Sequence, residues 1–473
     1  MTRLKNFSLL PLLCALPFAV ACGSEDDKPA GNTGGTGATG GGGSAGVGGS
    51  SGGGAGVGGG TGGAGGSPSC DLSGAGLPKE KIPNAIASDL TLTNDKVWTL
   101  EDTSYVQSGA TLTIEPCTRI EGKKAPLGTL VVSRGGKIMA DGKANEPILF
   151  TSPLPAGNRN AGDWGGIIVL GKAPNFKGDN VTIEGLADAP ENQYGGTVAD
   201  DDSGVMRFVR IEYSGFELSA DNEINGLTLG SVGSKTVVEN VMISNTLDDC
   251  FEWFGGTVNG KWLVCNNGGD DMFDMDQGYS GNLQFLFGRQ VTPLSSNPNG
   301  FECDSDNGGA TPVSKPKVSN VTLCGTGAAG TDVAFGAVLR EGLEGNYMNM
   351  ILTKFDVGLD ARDDFGTLAA PKTDITNSVF FGNVAHNIAD AGETDNDNGF
   401  DETAWIMDPL RKNSEADPKL GDCAAVTPAA QPAAMIPGGT PGADMDATAT
   451  YVGAFKDGSD SWMSGLWVNW AKN

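Results

Sequence analysis

A single histidine, His386, stands among 473 residues. Its isolation removes histidine-based zinc sites, and any Ser-His-Asp triad would have to pass through this one ring. Basic residues are also scarce: 31 Lys and Arg face 58 Asp and Glu, a formal charge of −27. That imbalance argues against a nucleic-acid partner, whose phosphates need Lys and Arg, and it suits divalent cations. Helical periodicity is nearly missing. After the N-terminal segment no apolar run is long enough to cross a bilayer as a helix, so an anchor is the one expected route to a membrane.

What is present begins with "MTRLKNFSLLPLLCALPFAVAC", where Arg3 and Lys5 precede an apolar run and small residues lead into Cys22. This is the pattern of a secretory signal peptide over 1–21. "AVAC" resembles a bacterial lipobox with Ala19 in the usual Leu position, which implies a lipid on Cys22. Residues 22–69 follow as a Gly-rich tether, unable to bury enough apolar surface to fold and reaching about 40 Å as a flexible chain. Residues 70–473 form the body. The expected location is the cell envelope, lipid-anchored at the outer membrane or cell surface.

With Cys14 assigned to the signal peptide and Cys22 to the lipid, seven of the nine cysteines remain. Seven is odd, so at most three bridges form and one thiol is left over. Their pairing does not follow from spacing.

The body reads as many short runs of Val, Ile, Leu, Phe and Thr broken by Gly, Asn and Asp, which are strand signals. Six later runs start at Asn240, Lys261, Asn282, Asn320, Asn349 and Asn377, at steps of 21, 21, 38, 29 and 28 residues. A propeller blade needs four strands per repeat, and 21 residues cannot hold them, whereas one turn of a β-solenoid fits. The fold class predicted is all-β: a right-handed parallel β-helix with loop insertions. An antiparallel sandwich is the rival, and it requires hairpins between neighbouring runs. The alignment predicts Asn240, Lys261 and Asn282 at equivalent positions, with Val241, Trp262 and Leu283 beside them. Trp462, Trp467 and Trp470 are expected to form a hydrophobic cap on the last coil, since solenoid ends need covering.

The chemistry-bearing motif is a repeated acidic pair. "DDCF" at Asp248–Phe251 recurs as "DDMF" at Asp270–Phe273, an offset of 22 residues. One coil apart, Asp248 and Asp249 would stack on Asp270 and Asp271 at roughly 5 Å. Three readings fit: a catalytic acid pair, a cation cage, or solvated turn residues. Asp274, Asp276, Glu302, Asp304 and Asp306 lie close by in sequence, and such oxygen ligands suit Ca²⁺, the one cofactor expected. A second acidic loop, "AGETDNDNGFDETAW", offers Asp395, Asp397 and Asp401. It is not an EF-hand, because Gly399 is out of register and no Glu closes the loop. For an enzyme the same residues would act, namely Asp248, Asp249, Asp270 and Asp271, with Arg340 among the available cations.

Two resemblances extend this reading. "LDDC" at Leu247–Cys250 resembles the Asp-Asp-Cys of polygalacturonase-type glycoside hydrolases, which implies an inverting acid–base pair. The Asn-Thr-Asp and Gly-His-Gly that accompany it in that family have no counterpart here. More broadly, "LTIEPCTRIEG", "LVVSRGGKIMADGKANEPILFTS", "GDWGGIIVLGKAP", "SGVMRFVRIEYSGFE", "DDCFEWFGGTV", "DDMFDMDQGYSG" and "ATYVGAFKDGSDSW" resemble a largely uncharacterised family of secreted or lipid-anchored bacterial β-helix proteins. That resemblance implies the fold and the surface location and supplies no reaction. Cys117 stands where the family turn carries Gly, which implies a local disulfide to Cys70. The expected function is binding or structural, Ca-stabilised, with a polysaccharide or cell-envelope partner. A polysaccharide-degrading hydrolase or lyase is the alternative.

Overall fold

The computed structural model describes residues 70–471, apart from 220–221, 293–297, 306–308, 310, 329–332, 364–371, 390–396 and 398. The signal segment, Cys22 and the tether lie outside the described residues, as do Asp306 and Asp395.

Short β-branched and aromatic runs divided by turn residues wind into successive coils. Each coil places a strand in each of two stacks, and in the first coils a third column, Leu90–Leu92, Thr111–Ile114 and Lys137–Asp141, runs beside them and merges with the first stack at Gly204–Glu212. The first runs through Lys79–Lys81, Val97–Leu100, Arg119–Gly122, Ile148–Thr151 and Gly204–Glu212. It continues through Val237–Ser244, Asn259–Asn266, Asn282–Arg289, Lys317–Cys324, Asn346–Thr353 and Asp374–Thr376. The second comprises Ala85–Ile86, Thr103–Val106, Thr129–Val132, Ile167–Leu170, Leu227–Gly230, Phe251–Phe254, Phe273–Asp276, Phe301–Cys303, Ala337–Leu339 and Asp360–Ala361. Pairing within both stacks is parallel. Antiparallel strand pairs occur in two small insertions, Val181–Thr182 with Gln193–Tyr194 and Phe216–Ser219 with Asn222–Ile224. The parallel β-helix is therefore the fold, and the sandwich is excluded.

The register differs in detail from the sequence alignment. Glu239 pairs with Lys261 and Val241 with Leu263, so Asn240 stands opposite Trp262; by the same rule Trp262 stands opposite Phe285. Asn320, Asn349 and Asn377 continue that column. The common feature is a left-handed bend within each long strand, with φ of 53° at Asn240, 57° at Trp262, 61° at Phe285, 58° at Asn320, 56° at Asn349 and 50° at Asn377. Asn suits this conformation. Where Trp262 and Phe285 replace it, their rings stack at 5.9 Å and Lys261 lies 4.4 Å above the indole. Lys261 and Asn282 are therefore not equivalent to Asn240.

Inward-facing residues fill the coils. Phe251, Phe273 and Phe301 stack rung on rung at 5.4 and 5.6 Å between ring centroids. In "GDWGGIIVLG", Gly166 lets the backbone of Asn225 approach: a Cβ there would fall 2.0 Å from its carbonyl oxygen.

The tryptophan-rich C terminus does not cap the last coil. It returns along the outer face of the first stack. Trp467 packs edge-on against Phe208 at 6.0 Å, its backbone N–H donates to the Ala144 carbonyl, and its side chain joins Met242, Val264, Phe287 and Phe455 in a second apolar cluster. The last coil is covered instead by the helix Glu402–Ile406, whose Trp405 and Ile406 enter the main core. Outward-facing apolar residues on the first stack explain the difference, since Met242, Val264 and Phe287 would otherwise meet water.

Three disulfides form, Cys70–Cys117, Cys250–Cys265 and Cys324–Cys423, and Cys303 remains a buried thiol. Cys117 has φ of 68°, which accounts for the glycine expected at that turn.

Candidate metal centre

Alternation along each strand decides the site. In Phe251–Phe254, Phe251 and Trp253 point into the core, so Glu252 and Phe254 face outward. Pairing then aligns Thr228, Glu252, Asp274 and Glu302 in one outward column. The next column carries Asp276, followed in register by Asp304 and then Arg340. At the N-terminal ends of the strands, the 22-residue offset sets Asp248 and Asp249 one rung from Asp270 and Asp271, and the Asp271 N–H donates to Asp249 Oδ1 at 2.7 Å. Nine carboxylates therefore share one face of three consecutive coils.

Burial and mutual repulsion raise their affinity for protons. Asp249, Glu252, Asp271 and Asp274 are all pushed well above the ordinary carboxylate range, burial being the largest cause and neighbouring carboxylates the next. Asp248 is pushed up to about 8 by burial and then by Asp270, Glu223 and Glu184. Asp270, at the outer edge, rises to about 6 through partial desolvation and Glu302. Asp304 is pushed up to about 9 by burial and by its hydrogen bond to Asp276.

Among the described residues one cation forms ion pairs with this face. Arg340 binds Glu302 and Asp304, the latter at 3.2 Å, and these carboxylates hold its guanidinium charged. A general base needs a free, deprotonated nitrogen, so Arg340 neutralises the end of the ladder instead.

Among the described residues no cation pairs with the interior of the ladder. Asp271 is only 3% exposed, and its Oδ1 and the Asp274 Oδ1 are buried without a hydrogen bond. Two trios bring one carboxylate oxygen from each member within 4.8 Å of the others: Asp248, Asp249 and Asp270, and Asp249, Glu252 and Asp274. Two oxygens each about 2.4 Å from one Ca²⁺ are at most about 4.8 Å apart, so both trios match the span of such an ion, and Asp249 belongs to both.

Glu252 escaped the sequence reading, although it sits 22 residues before Asp274 between two core aromatics. Its neighbour Asn225 donates to it and accepts from the Asp249 N–H at 3.2 Å. The second acidic loop is arranged differently. Asp401 caps the helix by accepting from the Ala404 N–H at 2.7 Å, and Asp397 accepts from the Gly399 N–H at 2.7 Å. Both carboxylates serve local turns, and neither joins the ladder trios.

A parallel β-helix with its chemistry on one stack face defines a class of protein before any comparison. The family model described as a pectate-lyase like beta helix domain matches residues 84–414, and the chain belongs to that family. No curated protein and no solved structure matches.

Proposed function

We propose that this is a lipid-anchored surface β-helix that binds a polysaccharide or other envelope component, with its acidic ladder held together by Ca²⁺. The observation that carries the calcium reading is the buried, unpartnered oxygen of Asp274, a member of one trio with a second such oxygen on Asp271 close by, in a ladder whose one contacting cation among the described residues lies at its far end. Asp248, Asp249, Asp270, Glu252 and Asp274 would hold the ion or ions, and Ca²⁺ would supply the charge that otherwise must come from protons. An all-oxygen ligand set favours a hard cation over zinc or copper. The signal peptide and the lipobox-like Cys22 support the surface location, and the family match supports a polysaccharide partner.

The test is thermal unfolding at pH 7.5 with chelator and with Ca²⁺. Extracellular Ca²⁺ modules commonly bind at about 10⁻⁴–10⁻³ M, and occupancy at ten times the dissociation constant adds about 1.4 kcal/mol. A rise in melting temperature with millimolar Ca²⁺, reversed by chelator, is expected. Identical curves in both conditions would refute the calcium reading.

The family match and the "LDDC" likeness favour cleavage as the second reading. Inverting glycosidases hold their two carboxyl groups roughly 6.5–9.5 Å apart to admit a water, whereas the Asp248, Asp249 and Asp270 oxygens lie within 4.8 Å. A calcium-assisted lyase needs a free base, and Arg340 is paired. Polysaccharide cleavage that disappears in Asp248→Asn with Asp270→Asn would nonetheless replace the binding reading.

A further inference from the structure

Where the C-terminal segment returns along the first stack, it closes over a cavity of about 280 Å³ whose walls include Arg159, Tyr213, Asn245, Asn267, Arg289 and Trp470. The coil corners build it: Tyr213, Asn245 and Asn267 occupy successive left-handed positions with φ of 61°, 55° and 61°. The Asn267 amide donates to Asn245 Oδ1 at 3.1 Å, and Asn267 Oδ1 accepts from the Val291 N–H at 2.8 Å. The two asparagines are thereby fixed.

Two arginines line this cavity, each with its guanidinium over an aromatic ring. Arg289 lies 4.8 Å from the Trp470 centroid and Arg159 lies 5.8 Å from that of Tyr213. Arg289 is 3% exposed. Its Nε donates to Asn266 Oδ1 at 2.7 Å and its Nη1 to the Cys423 and Ala425 carbonyls at 2.8 and 2.6 Å. Its Nη2 has no hydrogen-bond partner among the described residues. Burial lowers its pKa to about 10, which still leaves it charged at neutral pH. The walls are otherwise largely apolar, with Ala161, Val291, Ala424 and Val426. In a chain of charge −27, a half-apolar cavity holding two cations selects for an anion with a flat or apolar body.

We propose that this cavity is a binding site for a six-membered ring bearing a carboxylate, with the carboxylate against Arg289 and Arg159 and the ring beside Trp470. Guanidinium groups match carboxylates geometrically, and the volume, at the lower end for ligand pockets, suits a single ring. The same chemistry is offered by an aromatic acid and by a uronic acid, and the experiment separates them.

The full chain is titrated calorimetrically with benzoate and with glucuronate, each paired with its neutral counterpart, benzamide and glucose. All titrations contain chelator, so the result is independent of the calcium reading. At least one acid is expected to bind saturably and at least about tenfold tighter than its neutral partner, the effect of one charge-assisted hydrogen bond. Benzoate alone would identify an aromatic acid, and glucuronate alone a sugar acid. Because Arg289 also secures the C-terminal segment, the variants are Arg159→Gln and Trp470→Leu. Each is expected to weaken binding about tenfold. The proposal is overturned if neither acid binds, if the neutral partner binds equally well, or if both variants bind like the parent.

Discussion

Asn225, Asp249, Asp271 and Asn299 occupy one column, and three of them accept a backbone N–H from the following coil: Asn225 from Asp249, Asp249 from Asp271, and Asn299 from Phe335 at 2.9 Å. An amide therefore performs the structural task of this column at both ends. The negative charge at its two central positions adds repulsion of about 3 kcal/mol for carboxylates 5 Å apart at an effective dielectric near 20. Asp271→Asn is accordingly expected to stabilise the chelated protein by about 1–3 kcal/mol at pH 7.5 and to diminish the calcium response, both read from melting curves. A loss of stability in chelator would show that the charge has a structural partner. Asn349 makes the converse case. It has φ of 56°, and its side chain accepts from the Gly439 N–H at 2.8 Å and donates to the Gly439 carbonyl at 2.9 Å. Asn349→Ala is expected to cost about 2–4 kcal/mol by urea unfolding, from left-handed strain and lost hydrogen bonds. Asn349→Gly should recover the strain part alone. The bend was legible in sequence wherever Asn marks it. It was hidden at Trp262 and Phe285, whose aromatic packing overrides the backbone preference that a reader relies on.

The ladder is the element whose behaviour depends most on pH. Asp248 and Asp304 have folded pKa values near 8 and 9 against a usual 3.8, so the folded state binds more protons than the unfolded state between those limits. Stability of the chelated protein must then fall as pH rises from about 4 through 9. Denaturant midpoints measured across that range in chelator should decline steadily, and saturating Ca²⁺ should flatten the decline because the ion displaces the same protons. A midpoint rising from pH 5 to 8 in chelator would contradict the burial of the ladder. The 22-residue offset made the stacking of Asp248 on Asp270 readable from sequence, because a coil of that length returns the chain to the same edge. The second column was less readable. Which of Glu252, Asp274 and Asp276 faces outward depends on the phase of alternation, which the inward rings of Phe251 and Trp253 set. The neutralising role of Arg340 depends on a loop insertion whose length conceals the register.

At the scale of the whole molecule, contacts within the coils run only between neighbours, as in any solenoid. Two segments are exceptions: the insertion after Ile167–Leu170, whose Phe176 N–H and Tyr194 hydroxyl reach Gln277 past two coils, and the C-terminal segment. Gly453 N–H donates to Asn349, Ala454 N–H to Thr322, Arg289 holds Cys423 and Ala425, and Trp467 reaches Ala144. Cys324–Cys423 fastens it across a sequence separation of 99. Cys423→Ser should therefore lower stability by about 2–5 kcal/mol and broaden the unfolding transition, as followed by calorimetry, since coils freed of the strap can fray independently. An equally sharp transition would show that the coils cooperate without it. The strap also imposes an order of events. Its landing sites, from Ala144 to Asn349, span coils laid down early and late, so no surface exists to receive it until those coils have stacked. A strap that follows the coils in the chain thus tests the completeness of the coils it crosses. A chain with a missing or misregistered coil keeps its tryptophans exposed, and so carries its own signal of incomplete assembly.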